Sequence, residues 1–400
     1  MKVIGLISGT SMDAIDVAVA DLSLDGRTVV LTPVEHAEHP FPEDLREPPT
    51  SAADLCRLDT RLGQAFAEVA ARYEGELVSS LGQTVHHWVE DGRCLGTLQL
   101  GQPAWIAEAT GLPVVADLRV RDVAAGGHGA PLASTLDALW LAGLDEHAGF
   151  DKPAVALNIG GIANITKVSP EGVVAYDTGP GNALMDAAMT VLSGGLRTQD
   201  TDGEFARRGR VHAELLDRLL ADPYYARPAP KSTGKEHFDR AYLDRVSEGL
   251  TMPAEDFLAT LTELTVRTIA AECEGTTVIG SGGGMRNPVL VESLARHVDL
   301  RTSDELGLPA DGKEAYLAAL LGFLTWHGLP ANVPSATGAA GPRPLGSITP
   351  GRYPLRLPEP AITAVDRLTI STISTTSTIS TTSTASRRER QSDGGDHART

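Results

Sequence analysis

Four short segments combine residue types that could handle phosphate and protons. Residues 9 to 16 read Gly9, Thr10, Ser11, Met12, Asp13, Ala14, Ile15, Asp16. A tight turn there offers successive backbone N–H groups, two hydroxyls and the Asp13 carboxylate, which can wrap a polyphosphate and set a metal beside it. An ordinary polar hairpin has the same composition. Residues 176 to 188, YDTGPGNALMDAA, place Asp177 at the end of a strand-forming run. Gly179, Pro180, Gly181 and Asn182 then break the strand and open a helix whose N-terminus faces the same space. A carboxylate so placed can take a proton from a nucleophile while nearby amides meet phosphate oxygens. Simple capping of the helix by Asp177 and Asn182 is the plainer alternative.

The third segment, VIGSGGGMRNPVLVESL at 278 to 294, puts glycines after a strand and starts a helix at Asn287-Pro288. Gly282, Gly283 and Gly284 let backbone approach a flat ligand closely. The spacing is not the dinucleotide fingerprint, so an adenosine pocket fits better than a nicotinamide cofactor, with a purely structural strand–helix turn as the alternative. The fourth segment, residues 116 to 132, sets Arg119, Arg121 and Asp122 before a Gly-rich bend. Forked arginine donors suit a carboxylate or sugar hydroxyls; a solvated Arg–Asp surface pair is the alternative. Lys231 in PAPKSTGKEHF and Glu314 in GKEAYLAALLGFLTW are further polar candidates beside rigid or apolar runs. A helix N-terminal carboxylate favoured by the dipole would account for Glu314 equally.

Elements must bring these segments to one place. The opening VIGLISGTSMDAIDVAVADL predicts strand, turn, strand, and Thr28 to Val34 adds a third strand. Three adjoining strands before any helix exclude a dinucleotide-fold start. Leu55, Leu58, Leu62, Phe66 and Val69 recur at helical spacing, predicting a helix within Ala52 to Tyr73. Strands at Leu77 to Leu81 and Val114 to Leu118 then alternate with helices at Pro103 to Ala109 and Leu132 to Leu141. This is a mixed α/β lobe over residues 1–150.

A second lobe, 151–362, begins the same way: PAVALNIGGIANITKV reads strand, Gly-rich turn, strand, and VVAYDT follows. Ile159-Gly160-Gly161 echoes Ser8-Gly9-Thr10, which implies an internal duplication. Helices follow at Ala183 to Leu192, His212 to Leu220, Ala254 to Glu272 and Pro288 to Val298, with a strand at Thr277 to Ile279. A last helix, Lys313 to Trp326, is free to pack back on the first lobe. Residues 363–400 are dominated by a Ser/Thr repeat with a polar, charged end. Little of it can bury enough apolar surface to offset ordering, so a disordered tail is expected.

Composition narrows the function classes. At 400 residues and 42% apolar content the chain can build two cores. A formal charge of −18 argues against nucleic acid and against anionic membrane. Any phosphate must therefore be held locally by amides and a cation. Cys56, Cys94 and Cys273 are widely spaced with no CxxC pair, which fits a reducing, cytoplasmic setting and three small buried hydrophobes. No run approaches the roughly 20 apolar residues a spanning helix needs, so a soluble protein is expected.

Taken together, GTSMDAID, SLGQT at 80 to 84, DLRVRD with GGHGAPL, LNIGGIANIT, YDTGPGN, APKSTGKEHF, SGGGMRNP and VPSATGAAGPRPLG at 333 to 346 occur in the order that resembles the anhydro-N-acetylmuramic acid kinase family. The similarity runs from about residue 2 to 355 and its joint pattern is highly specific. The resemblance implies a two-lobed α/β chain of actin/hexokinase-like (ribonuclease H-like) fold with an interlobe cleft, usually a homodimer. It implies an enzyme that uses ATP, magnesium and water to turn 1,6-anhydro-N-acetylmuramate into N-acetylmuramate 6-phosphate in peptidoglycan recycling.

By the same resemblance, residues 9–16 bind the ATP phosphates, with Gly160, Gly161 and Asn164 of the echoing turn. Gly282, Gly283, Gly284 and Asn287 line the adenosine, and Asp177 is the catalytic base. Gln83, Arg119, Arg121, Asp122, Asp177 and Glu314 meet the sugar; the magnesium ligands stay unassigned. Two departures bear on the sugar. Leu81 stands where the family commonly has His, and Ala116-Asp117-Leu118-Arg119 stands where it usually has Gly-Asp-Phe-Arg. A non-catalytic nucleotide or sugar sensor on the same fold is the alternative, and a product assay separates the two.

Overall fold

The computed structural model describes residues 1–9, 12–144, 150, 152–169, 172–361 and 363–371. Its frame is two sheets. The first is built on β1 (Lys2–Ser8), β2 (Ala14–Asp25), β3 (Thr28–Pro40), β4 (Leu77–Glu90), β5 (Arg93–Leu100) and β6 (Val114–Ala116). The second holds β7 (Ala154–Ile159), β8 (Ile162–Ser169), β9 (Gly172–Pro180), β10 (Thr277–Ser281) and β11 (Asp299–Thr302). The orders β3-β2-β1-β4-β6 and β9-β8-β7-β10-β11 are the same path walked twice. In each, the second strand is antiparallel to its neighbours and the last two are parallel to the first. This is the duplicated ribonuclease H-like topology of actin and hexokinase, and the expected α/β, two-lobed class is what the chain adopts.

Alternation fixes the register. In β1 every residue after Lys2 is buried, because helices cover both faces of that central strand. The Ala52–Ala70 helix is capped by Ser51, whose hydroxyl accepts the Asp54 N–H at 3.1 Å. It buries Leu58, Leu62 and Phe66 on one face of the first sheet, beside the Pro103–Thr110 helix. The Ala133–Leu144 and Lys313–Trp326 helices cover the other face. Gly5 and Gly322 permit that contact: a β-carbon on Gly5 would strike the backbone of Ala315 and Ala319, and one on Gly322 would strike Ser79.

The Lys313–Trp326 helix is buried almost all round, the pattern of an element enclosed by protein. Its first residue carries a buried charge. Lys313 Nζ lies 2.6 Å from Asp137 Oδ1 and donates to Ser281 Oγ at 3.3 Å, while Thr166 donates to Asp137 at 2.9 Å. One ion pair thus ties two first-lobe helices to β8 and β10.

As the sequence allowed, the Lys313–Trp326 helix packs back on the first sheet, and β12 (Ser347–Thr349) pairs with β6. Two expectations are corrected. Order does not end near Thr363, because β13 (Arg367–Ile370) pairs with β3, buries Leu368 and is fastened by the Arg27–Asp366 ion pair at 2.7 Å. The free edge of β3 accepts a short alternating segment that could not stand alone. Residues 372–400 lie outside the described residues. Finally, β4 runs on from Leu81 to Glu90 and pairs with an unexpected β5, whereas β6 stops at Ala116 because Asp117 turns left-handed at φ 56°.

Candidate active-site cleft

The β1–β2 turn closes on itself. Ser8 Oγ donates to the Ala14 carbonyl at 3.0 Å and Met12 N to the Gly9 carbonyl at 3.1 Å. Met12 takes a left-handed φ of 54°, and Asp13 is exposed. Thr10 and Ser11 lie outside the described residues. Ile15 is buried in the core, so only its backbone is available to a ligand, and Ala14 pairs with Pro40 at the start of β2.

Asp16, the last of the segment, is half-buried among like charges. Burial pushes its carboxyl up to about 7, helped by Glu38, Glu314 and Asp311 and opposed by Arg286. Arg286 itself crosses from the second lobe, 3.5 Å from Glu38 and 3.6 Å from Asp311.

Gly160 and Gly161 form the matching β7–β8 turn. Their carbonyls accept the N–H groups of Asn182 (2.8 Å), Gly181 (2.9 Å) and Ala183 (3.0 Å), so these amides are spent on the turn rather than left for phosphate. A β-carbon on Gly161 would collide with the Lys235 side chain, whose stem lies across the turn. Asp186 stands in the first turn of the adjoining Ala183–Leu192 helix. Burial pushes its carboxyl up to about 6, Lys235 pulls it back, and Asp13 of the first lobe pushes it further. The two Gly-rich turns therefore share one electrostatic neighbourhood.

Behind this turn the glycine loop splits its duties. Gly282 adopts a left-handed φ of 87° with its backbone against Asn158 and Ile159, and Gly284 is buried on Ile159. Gly283 and Asn287 line a 250 Å³ cavity with Asn182, Asp186, Asp202 and Arg286. The Asn287 side-chain oxygen caps the following helix through Val289 N at 3.1 Å and Leu290 N at 3.3 Å, worth about 1 kcal/mol.

Asp177 lies on β9 at the wall of a larger cavity of about 670 Å³, opposite His87 of β4 and His128. Its Oδ2 accepts from Ser232 Oγ at 3.1 Å and from Thr233 N at 2.9 Å. Burial raises its carboxyl above the ordinary range, those two donors pull it down, and the Glu236 charge raises it. The result is a carboxylate more basic than usual that is still held in place. Asn164, expected with the nucleotide, is the register partner of Asp177 and lines this same cavity.

The expected sugar residues divide. Arg119 donates to the Gly129 carbonyl at 2.7 Å, and burial lowers its guanidinium while the Glu314 charge raises it. Glu314 is open to water yet deep between the lobes; desolvation raises its carboxyl, and Arg119 and Lys313 counter that. These two face one another's fields. Arg121 is exposed in the short Val120–Ala124 helix.

Asp122 is wholly buried. Its Oδ2 accepts Gly129 N at 2.8 Å and its Oδ1 accepts Asn332 Nδ2 at 2.6 Å and Thr337 Oγ1 at 2.8 Å. It staples the bend, and nothing is left of it for a ligand. Gln83 is also fully buried, donating to the Thr84 carbonyl at 3.0 Å with Oε1 unpartnered among the described residues. Leu81 packs in the first-lobe core, so that position is a wall rather than a polar contact.

Sequence reasoning passed over His87, His128, Lys235, Asp186 and Arg286. His87 is held low by burial and by the charges of Arg119, His86 and His128, so it is neutral at neutral pH. Lys235 and the Ser232–Thr233 donors lie inside a segment already singled out for Lys231; the contact of the first with the Gly161 turn and of the others with Asp177 was the missing signal.

The duplicated fold and its cleft define a two-lobed α/β protein of the actin/hexokinase-like class, with a half-buried carboxylate at one end and two Gly-rich turns at the other. The family model for anhydro-N-acetylmuramic acid kinase matches residues 1–351, and the chain belongs to that family. A relative from Streptomyces avermitilis named anhydro-N-acetylmuramic acid kinase is 57% identical, covering 92% of this chain and 100% of its own. One of the same name from Streptomyces coelicolor is 55% identical, covering 90% and 97%. Among solved structures, a xylulose kinase from Rhodospirillum rubrum is a distant likeness, with 12% identity and a TM-score of 0.41 over 81% of this chain and 90% of that one.

Proposed function

We propose that the protein uses ATP and water to open 1,6-anhydro-N-acetylmuramate and phosphorylate it to N-acetylmuramate 6-phosphate, a step of peptidoglycan recycling. One observation carries the reading: the loop whose Ser232 and Thr233 grip Asp177 continues to Lys235, which lies across the Gly160–Gly161 turn. A base and a phosphate-sized turn are thereby linked through three residues of chain.

In this reading Asp177, ionised, takes a proton from a water attacking the anomeric carbon. The bond from that carbon to the bridging oxygen breaks, and the freed O6 attacks the γ-phosphorus as ADP leaves. Lys235 and the backbone of residues 9–16 meet the phosphates, and Gly283 and Asn287 the adenosine side. Arg119 and Glu314 are assigned to the sugar, Glu314 standing between Arg119 and Asp16, with Arg121 at the rim. Gln83 and Asp122 act by holding the wall.

Among the described residues no trio of His, Cys, Asp or Glu is arranged to hold a metal alone. Magnesium takes one or two carboxylates and fills its shell with phosphate oxygens and water; Asp13 and Asp186, which feel one another's charge, would be the carboxylates to hold it. Bound there, magnesium would neutralise phosphate charge. No described helix is long and apolar enough to cross a membrane. A cytoplasmic homodimer is the assembly and compartment we assign on family grounds.

Incubation with ATP and the anhydro sugar, followed by mass spectrometry, tests the reading. A phosphosugar heavier than the substrate by one water and one phosphoryl group is expected. ATP binding without that product would favour a sensor.

A further inference from the structure

The wall that carries Asp177, to which Tyr176 and Lys231 also contribute, is built more heavily than a surface loop needs. Strand alternation sends neighbouring side chains to opposite faces, so Tyr176 and Asp177 leave β9 in opposite directions. Tyr176 donates its hydroxyl to Glu272 Oε2 at 2.8 Å. Glu272 Oε1 lies 3.0 Å from Lys231 Nζ, which also donates to the Tyr225 carbonyl at 3.2 Å.

The Lys231 side chain is 4% exposed, so its charge is almost fully withdrawn from water. Such a pair is retained only with good partners. Hydrogen bonds from Tyr176 and Lys231, and the Lys231 charge, outweigh partial burial and hold the Glu272 carboxyl below its ordinary value. The pair is therefore ionic. From the same residue the Lys231 carbonyl accepts the Asp177 N–H at 3.0 Å, and the next two residues supply both donors to Asp177 Oδ2. Tyr224 completes the frame by donating to the Asp177 carbonyl at 2.7 Å.

We infer that the Lys231–Glu272 pair, its lysine withdrawn from water, is the positioning device of the reaction: it pins the loop that fixes Asp177 Oδ2 and leaves Oδ1 to the attacking water. The inference rests on the proposed role of Asp177 as base. Lys231 touches no reacting atom; it acts through Ser232 and Thr233. Among the described residues Oδ1 has no hydrogen-bond partner, as a base awaiting water requires. The charged and titratable groups around Asp177 are Glu236 on the loop, Tyr224, Lys231 behind it, and His87 and His128 across the cavity. Of these only Lys231 is anchored to the helix behind the strand.

The test is the pH profile of kcat/KM in Lys231→Met. Donors to an ionised carboxylate lower its proton affinity, so a freed loop raises that affinity. The acid limb of the profile is expected to move up by about one pH unit. Misplacement of the base should lower kcat by about 100-fold, with ATP affinity, read by nucleotide fluorescence, unchanged. A purely structural lysine would lower the melting temperature and leave the limb where it is.

Because a half-buried Glu272 left without its lysine can destabilise the single variant, the Lys231→Met/Glu272→Gln pair is measured alongside. It removes both charges and keeps an acceptor for Tyr176, and it should show the same shift. A folded variant of either kind with the wild-type limb overturns the inference. Turnover by Asp177→Asn would instead overturn the base itself, so the two failures are told apart.

Discussion

Asp177 at one end of the cleft and Asp16 at the other are both carboxylates raised by burial, but their neighbours differ. Asp177 has two donors on one oxygen and a pinned loop behind them. Asp16 has Glu38, Glu314 and Asp311 around it and one opposing guanidinium, Arg286, that belongs to the other lobe. The first arrangement is complete within the protein and fixes geometry before any ligand arrives. The second stores like-charge repulsion that a cationic ligand or lobe closure would relieve. The wall at Asp177 is rigid and the Asp16 end is strained electrostatically; under the proposed function that division suits a base needing ångström placement and a phosphate needing charge.

The rigid wall breaks most visibly at Asp122. Asp122→Ala strands Gly129 N, Asn332 and Thr337 without their acceptor, a loss of about 3–5 kcal/mol. The melting temperature should fall by about 10 °C, and differential scanning calorimetry reads it. A drop below about 2 °C would mean the bend holds itself.

The strained end should respond in the opposite sense. Asp16 has a folded-state pKa of about 7 against an ordinary 3.8, so the folded state binds the proton more tightly. Stability is therefore greatest below the ordinary value and is lost as pH rises from about 4 through about 7. Asp16→Asn removes that loss. At pH 8 it should melt about 2–4 °C higher than wild type, with no gain at pH 4, while phosphoryl transfer suffers. Equal effects at both pH values would contradict the repulsion.

Arg286→Ala is the mildest. Its contacts to Glu38 and Asp311 are long and exposed, so stability should change by less than about 1 kcal/mol. Loss of the guanidinium should nevertheless push the Asp16 titration higher, visible by NMR of a labelled carboxyl.

The sequence carried the fold far because its periodic segments are self-consistent. The helices at Ala183–Leu192, Ala254–Glu272 and Lys313–Trp326 have the predicted bounds. The strand–turn–strand signal recurs in both lobes. The strands β5, β11 and β13 were not legible, since short edge segments gain their stability from partners rather than from their own residues.

At the site, Asp177 was legible as a carboxylate closing a strand before a Gly-Pro-Gly break. Asp122 was misleading: its acceptors' partners, Asn332 and Thr337, are 210 and 215 residues away, so a Gly-rich bend looked ligand-facing when it was stapled shut. Asp186, Arg286, His87 and His128 acquire meaning only from the apposition of two lobes, which no local pattern encodes.

The most direct test of the central claim follows the oxygen of water. A single turnover with ATP and the anhydro sugar in ¹⁸O-water, quenched at once, is compared with unlabelled product held in the same water for the same time. With Asp177 activating water at the anomeric carbon, the phosphosugar carries one ¹⁸O in its sugar and none in its phosphate. Label in released phosphate, with none in the sugar beyond the control, would mean that water is directed at ATP and would contradict the account.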